Sequence, residues 1–520
     1  MIKGAGMDNN GGETLWRPLP RRNTQKVSHM LAADLRRQIL NGELAADQQL
    51  PPEADLTVAL QVSRETLREA LRILESQQLL EIRRGRGGGA VIRRPGLEAV
   101  SRYVALLLQL RKTTVAHLEE ARSVVEPPAA AWVADHRDDG DLDRLVELHD
   151  AERAAEKDPL EFVAAMSAFD QAVTELSGNQ TLAVIAGVFR DIYAGQVYSA
   201  IGGTGDSSAE QIARRVVVSH SAFIDAVRRR DTALAHSTWS DYLFTTGRML
   251  VRRNISRQPI DITPLWRAQA GQAGAEPTPR RALVVATEIR ARMAEGRLSE
   301  GDRLPPLADL AQEFDISRPT LREALRILEM EFLLDLRTGD RGGATIRPPS
   351  TRVASQLAGI VLEARGATLL DFLDALRAIE PTIIGLVATR IGTKKLDTLR
   401  SAEAQLAAST EDTARFVTMW REAEMVAFSA AKNPALTVIA EMTHWVRVGV
   451  EPTMTADAKG LPWVGKTNRR AQGLFAQFVA AAAEHDAERA TRAWTEHLAT
   501  AAVWFEESGV GKQLMLEVMD

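Results

Sequence analysis

The 520-residue sequence contains no cysteine. That absence excludes disulfides, thiolate metal ligands and a cysteine nucleophile together. Aromatic residues are scarce at 5%, and β-branched runs are few, which favours helices over sheet. No apolar run approaches the roughly 20 residues that span a bilayer; "VALLLQL" from Val104 is among the longest. The N-terminal "MIKGAGMDNNGGETLW" lacks the apolar core of a signal peptide, so a cytoplasmic protein with no membrane partner is expected. A strong excess of either charge is missing too. A formal net charge of −5 gives no global attraction to a polyanion, so any such partner must meet a local basic patch.

What the sequence does contain is a repeat. "SRETLREALRILE" begins at Ser63 and "SRPTLREALRILE" at Ser317, and Leu67–Glu75 returns unchanged as Leu321–Glu329, an offset of 321 − 67 = 254 residues. The same offset relates Leu50-Pro51-Pro52 to Leu304-Pro305-Pro306, Gly88-Gly89-Ala90 to Gly342-Gly343-Ala344, and Asn179 to Asn433. The chain therefore reads as a tandem duplication. Its expected organisation is a loose arm at 1–25, a small domain at 26–95 and a helical domain at 96–257. A Pro-, Gly-, Ala- and Gln-rich linker follows at 258–279, then a second small domain at 280–349, a second helical domain at 350–509 and a tail at 510–520.

Within each small domain the repeated segment reads as a helix. Ser63 is an N-cap, and Leu67, Leu71 and Leu74 fall on one face. Arg64, Arg68 and Arg72, four apart, stripe the other. Pro319 replaces Glu65 in the first turn of the second copy, where its missing amide proton costs little. "PPEADLTVALQVS" and "PPLADLAQEFDIS" each supply a preceding helix and a tight turn, making a helix-turn-helix with the Arg-bearing element second. Downstream, "LLEIRRGRGGGAVIRR" gives two short strands around glycines, with five arginines and one acid, Glu81. Glycines there would let backbone and arginine approach a groove closely. A lone arginine stripe is ordinarily a solvated helix face; the capped helix, the Arg-rich hairpin and the repetition of both favour DNA. A phosphate-cradling loop is the competing reading of "GRGGG", which lacks the Gly-Lys-Ser/Thr ending and opens no helix.

The stretch "LPPEADLTVALQVSRETLREALRILESQQLLEIRRGRGGGAVI" resembles the winged helix-turn-helix signature of the GntR family of bacterial transcription regulators. The resemblance implies that Arg64, Thr66 and Arg68 contact bases and phosphates in the major groove, with the Gly85 to Gly89 wing tip, Arg86 and Gly87 included, reaching the minor groove. Arg318, Thr320, Arg322 and Arg341 are implied to do the same from the second copy. Two departures are visible: Leu307 stands where the first copy has Glu53, and the second wing reads Gly339-Asp340-Arg341 where the first reads Gly85-Arg86-Gly87.

The longer regions resemble the all-helical FCD ligand-binding domain of the FadR-like branch. The resemblance is carried by "EEARSVVEP" (Glu119–Pro127), "AFDQAVTELSGN" (Ala168–Asn179) and "SHSAFIDAVRRRD" (Ser219–Asp231) in the first copy. In the second it is carried by "RAIEP", "FSAAKNPAL" and "AAAAEHDAERATRAWTEHL". Many such domains hold a divalent metal beside a carboxylate effector. Carried over, the ligand positions are Met166, Asp170, His220 and Tyr242 in the first copy and Trp420, Glu424, Phe475 and His497 in the second. Neither set is complete. Asp170 and His220 remain as a partial metal site, as do Glu424 and His497, and a metal is expected only in the first domain if in either. His220 is equally readable as a hydrogen-bonded core histidine. Arg122 would clamp a carboxylate effector together with Asp170, His220 and Tyr242, or else pair with Glu126 at i,i+4.

The expected fold is mainly α: two winged helix-turn-helix domains, each followed by a helical ligand-binding bundle, forming a pseudo-dimer within one chain. The expected function is a non-enzymatic, metabolite-responsive repressor that reads a pseudo-palindromic double-stranded operator and answers to a small anionic effector. The alternatives are an enzyme in the helical regions targeted by the DNA-binding heads, and a nonspecific architectural DNA binder. Against the enzyme, the sequence offers no nucleophile-base spacing and no intact metal triad.

Overall fold

A computed structural model describes residues 24–77, 79–83, 89–201, 208–252, 257–261, 277–336, 343–458, 464–508 and 510–513. Most of the arm at 1–25, the linker core at 262–276, the end of the tail, and the wing-tip residues Arg86, Gly87 and Arg341 lie outside these residues. The chain divides into two compact units, residues up to Pro95 and those from Gly96 onward. Among the described residues, no helix is long and apolar enough to cross a membrane.

The first unit contains α1 (Thr24–Leu40), α2 (Glu53–Ala59), α3 (Arg64–Ser76) and the strands β1 (Leu80–Arg83) and β2 (Gly89–Ile92). The cap chemistry starts α3 where the sequence places it: the Ser63 hydroxyl accepts from the Thr66 amide at 3.1 Å. Leu67, Leu71 and Leu74, on one face, are buried with Ala70, and that face packs against α1 and α2. β1 and β2 pair antiparallel from Leu80↔Ile92 to Arg83↔Gly89, and Gln49 bridges to Val91 as a short third edge. A buried carboxylate locks hairpin to helix, Glu75 Oε1 accepting from the Ile82 amide at 3.1 Å. The result is a winged helix-turn-helix.

The second unit begins with seven helices: α4 (Leu97–Leu110), α5 (Val115–His136), α6 (Asp139–Ala155), α7 (Pro159–Glu175), α8 (Gln180–Ile201), α9 (Ser208–Arg228) and α10 (Thr232–Arg252). A second winged helix-turn-helix follows, with α11 (Pro277–Ala294), α12 (Leu307–Glu313), α13 (Arg318–Met330), β3 (Leu334–Leu336) and β4 (Ala344–Ile346). The second bundle comprises α14 (Thr351–Ala364), α15 (Leu369–Arg390), α16 (Thr393–Ala407), α17 (Thr413–Phe428), α18 (Pro434–Ala458), α19 (Val464–Ala483) and α20 (Ala487–Ser508). Capping boxes open both α5 and α15, from Thr114 with His117 and from Thr368 with Asp371.

The stretch expected as linker starts as part of the fold. Ile260 is buried, its amide donates to the Thr113 carbonyl at 2.8 Å, and the Val115 amide donates to Gln258. The second bundle closes in the same manner, with the Leu369 amide donating to Gln513. These segments have few periodic apolar residues, so sequence patterning alone reads them as connectors.

The two bundles meet along α5, α8, α15 and α18. Asn179 Nδ2 donates to the Asp371 carbonyl at 2.7 Å, and Asn433 Nδ2 donates to the His117 carbonyl at 3.0 Å. Each member of one bond is the 254-residue counterpart of its opposite number, the reciprocity expected of an isologous two-fold contact. Between them Ile185 and Ile439, and Val188 and Met442, line a seam that leaves a void of only about 30 Å³.

Candidate nucleic-acid interface and helical-domain sites

The cationic stripe of α3 is solvent-facing. Arg64, Arg68 and Arg72 are exposed, as are Arg318 and Arg322 on α13. Thr66 and Thr320 differ from the expectation of direct groove contact, being only 8% exposed. Each hydroxyl lies 2.8 Å from that of the N-cap serine, Ser63 or Ser317, so these threonines brace the start of the helix. The signal was in the spacing, because a residue three after the cap sits where the cap side chain reaches.

The two reading heads are not electrostatic copies. Glu53 on α2 accepts from Arg68 Nε at 3.0 Å, holding that guanidinium over the turn, whereas the second copy has Leu307 at the matching position, itself an exposed apolar residue. Beside the first wing, Arg93 is bound by Glu81 and Asp47, and the Glu81 hydrogen bond holds its pKa above the ordinary arginine value. Arg347 pairs with Asp335 at 2.9 Å in the second. Of the five arginines around the first wing, then, Arg93 is already neutralised by acids of its own domain.

Inside the first bundle, Arg122, Asp170, His220 and Tyr242 do converge, and all are buried. Arg122 donates to Glu126 through Nε (2.6 Å) and Nη2 (3.1 Å), and from Nη2 to Asp170 Oδ2 at 2.8 Å. Its guanidinium lies 4.4 Å above the Tyr193 ring. Tyr242 donates to Asp170 at 3.0 Å, and Trp239 donates to Glu126 at 3.1 Å. The i,i+4 pair of Arg122 with Glu126 is thus formed, and is one of its two carboxylate contacts, the other being Asp170. Burial pushes Asp170 up to about 6 despite the opposing pull of Arg122 and His220.

His220 is a hydrogen-bonded core histidine on one side. Its Nδ1 lies 2.8 Å from Glu152 Oε1, its ring stacks on Phe169 at 4.2 Å, and His149 shares the same Glu152 at 3.1 Å. On the other side Nε2 has no hydrogen-bond partner and lies 3.5 Å from Asp170 Oδ1. Burial raises Glu152, but His220 and His149 outweigh it and bring the carboxyl below its ordinary value.

The second bundle builds its interior from different residues. Leu376 stands at the position of Arg122, and Arg447, counterpart of Tyr193, supplies the guanidinium from α18. Arg447 pairs with both Glu380 and Glu424, and Trp494 donates to Glu380 at 2.9 Å. Glu380 and Glu424 are the counterparts of Glu126 and Asp170. Burial pushes Glu380 up to about 7. Trp420 stacks on His497 at 4.1 Å and meets Phe475 edge-on at 5.4 Å. Burial, then the nearby Arg447, pushes His497 down to about 3, so it is neutral near pH 7.

These donor sets do not fit a divalent metal. Such an ion wants three or four N or O donors within about 2.0–2.3 Å, yet in each bundle a guanidinium already occupies a retained carboxylate, Asp170 or Glu424. Among the described residues no group of three or more His, Asp or Glu is arranged to hold one. In the first domain, where Asp170 and His220 are readable as a partial metal site, Arg122 supplies the positive charge beside Asp170. Sequence reasoning missed Glu152, His149, Glu380, Arg447, Trp239 and Trp494; only the Glu126–Glu380 match within "VVEP" and "AIEP" pointed toward any of them.

The matches to two family models agree with this architecture. The model of the bacterial regulatory proteins of the gntR family matches residues 27–89 and 281–343, and that of the FCD domain matches residues 117–244 and 371–500. The HTH-type transcriptional repressor NanR of Cronobacter sakazakii is 26% identical over 248 residues, 46% of this chain and 92% of that protein. The NanR repressor of Escherichia coli K12 is 25% identical over 218 residues, 41% of this chain and 80% of its own length. Among solved structures, a GntR protein of Streptococcus agalactiae aligns over 42% of this chain and 98% of its own, at 24% identity and a TM-score of 0.32.

Proposed function

Because the chain belongs to the GntR family, with a winged helix-turn-helix and an FCD domain each present twice, we propose that it is a cytoplasmic repressor whose two fused heads read one pseudo-palindromic operator. The observation that carries this reading is the pair of serine-capped helices, each presenting exposed arginines at matching positions, Arg64 with Arg68 and Arg318 with Arg322. Relatives that align with 41–46% of this chain over most of their own length are named as repressors. Covalent fusion would supply both heads from one molecule, and the reciprocal Asn179 and Asn433 bonds support a pseudo-dimer. A tether holds the second head at an effective concentration of order millimolar, so operator affinity should not collapse on dilution as it would for a dissociating dimer.

Regulation by a small anionic metabolite is the matching proposal for the first bundle. An incoming carboxylate would compete with Glu126 and Asp170 for Arg122, and burial, which pushes Asp170 up to about 6, favours its protonation and release. Asp170, His220 and Tyr242 are the groups such an effector would meet. The usual coupling scale is about 1–3 kcal/mol, or five- to 150-fold in operator affinity. Footprinting the chain on the DNA around its own gene provides the operator. On that DNA, Arg64→Ala and Arg318→Ala should each weaken binding by about 1–3 kcal/mol. Equal binding to random duplex, or a loss from only one of the two substitutions, would refute the two-headed reading.

A further inference from the structure

The seam between the bundles holds two sites related by the 254-residue offset, one filled and one open. At the filled site Arg390 reaches across from α15: Nη1 donates to Glu120 Oε2 at 2.9 Å and to the Ala431 carbonyl at 3.0 Å. Asn433 steadies the same carboxylate at 2.8 Å. Burial raises the Glu120 carboxyl, but the bonds from Arg390 and Asn433 outweigh it and hold it below its ordinary value. This is a guanidinium receptor made of one acid, one carbonyl and one asparagine.

The counterparts of Glu120, Ala431 and Asn433 are Asp374, Ser177 and Asn179, and all three line a groove of about 640 Å³. Where the filled site has Arg390, this one has His136. The imidazole is too short to cross the seam and is turned back, Nδ1 lying 3.1 Å from the Trp132 carbonyl of its own helix. Trp132, matched by Leu386 in the other half, adds an aromatic wall, and indole is the best side-chain partner for a cation. Asp374 is already in contact with Arg377 at 3.4 Å, but that pair is exposed on both sides and exchangeable with a ligand. The volume lies within the range of small-molecule sites.

We propose that the open groove binds a small molecule carrying a guanidinium group, which takes the position Arg390 fills in the other half: charge on Asp374, edge toward the Ser177 carbonyl, face on Trp132, with Asn179 beside the carboxylate as Asn433 is beside Glu120. The site is distinct from the bundle interiors around Arg122 and Arg447, and its occupant would bridge α5 and α15 across the seam.

Titration calorimetry of the full-length chain with agmatine, without DNA, tests the assignment independently of the operator reading. One saturable site is expected, weakened at least tenfold by Asp374→Asn. His136→Arg, which supplies an internal guanidinium as Arg390 does, should also abolish binding. Both positions are surface-accessible, and Asp397→Asn, in an exposed pair with Arg400 on α16, should bind agmatine as the parent does. No saturable binding, equal affinity in both groove variants, or equal loss in Asp397→Asn would overturn the site. Putrescine binding as tightly as agmatine would overturn the guanidinium assignment.

Discussion

The two bundle interiors solve one electrostatic problem from opposite helices, and that makes the solution transferable. In the first, Arg122 on α5 pairs with both Glu126 and Asp170, with Tyr193 under its guanidinium. In the second, Arg447 at the Tyr193 position pairs with both Glu380 and Glu424, with Leu376 in place of Arg122. Arg122→Leu should therefore be severe. All three charged groups are at most 2% exposed, and removing one partner of such a set leaves uncompensated buried charge, at a cost of about 3–5 kcal/mol. Adding Tyr193→Arg copies the second interior into the first and should recover about half of that loss, because the coupling of adjacent sites commonly reaches a few kcal/mol. Recovery stays incomplete because Asp170 is one methylene shorter than Glu424; Asp170→Glu in the same background should improve it further. Urea unfolding read by tryptophan fluorescence is suited to the measurement, since Trp239 bonds to Glu126 directly. A cost below about 1 kcal/mol for Arg122→Leu, or a double variant no more stable than the single one, would refute the argument.

Two further outcomes follow from the same geometry. Glu380, pushed up to about 7 by burial, binds its proton more tightly folded than unfolded, so its contribution is greatest below pH 4.5 and is lost as pH rises through 7. His497, pushed down to about 3, acts oppositely: its contribution is complete above pH 6.5 and is lost as pH falls. The two offset each other between pH 4.5 and 6.5, and Glu380→Gln should unmask a stability that rises with pH by about 1.4 kcal/mol per unit more than in the parent; urea midpoints at several pH values that track the parent would contradict this. At the seam, Asn179→Ala and Asn433→Ala should each destabilise the chain by about 1–3 kcal/mol, since each leaves a carbonyl and its own helix start unpaired. Near-additive losses in the double variant are expected at such separated sites, and a null effect of either alone would argue against a structural role for the reciprocal bonds.

Much of the fold is written locally. Ser63 and Ser317 start their helices because a cap and an apolar face coincide, and the 254-residue offset exposes the duplication without any knowledge of packing. The buried sites are less legible for a specific reason. Glu152 and His149 reach His220 only because α6 packs beside α7 and α9, a contact that no spacing along the chain encodes. Arg447 is hidden more deeply, because alignment sets it against a tyrosine and sets Arg122 against a leucine, so each looks like an isolated loss. Physically the two changes compensate. A low-dielectric interior that keeps two carboxylates needs one guanidinium within hydrogen-bond reach, and it is indifferent to which of two adjacent helices supplies it. Carrying ligand positions across from a family motif asks whether each position kept its residue, whereas the constraint acts on the sum of charge in the pocket. Met166, Trp420 and Phe475 read as missing ligands under the first question; under the second, each interior is described by its charges, one arginine paired with two acids.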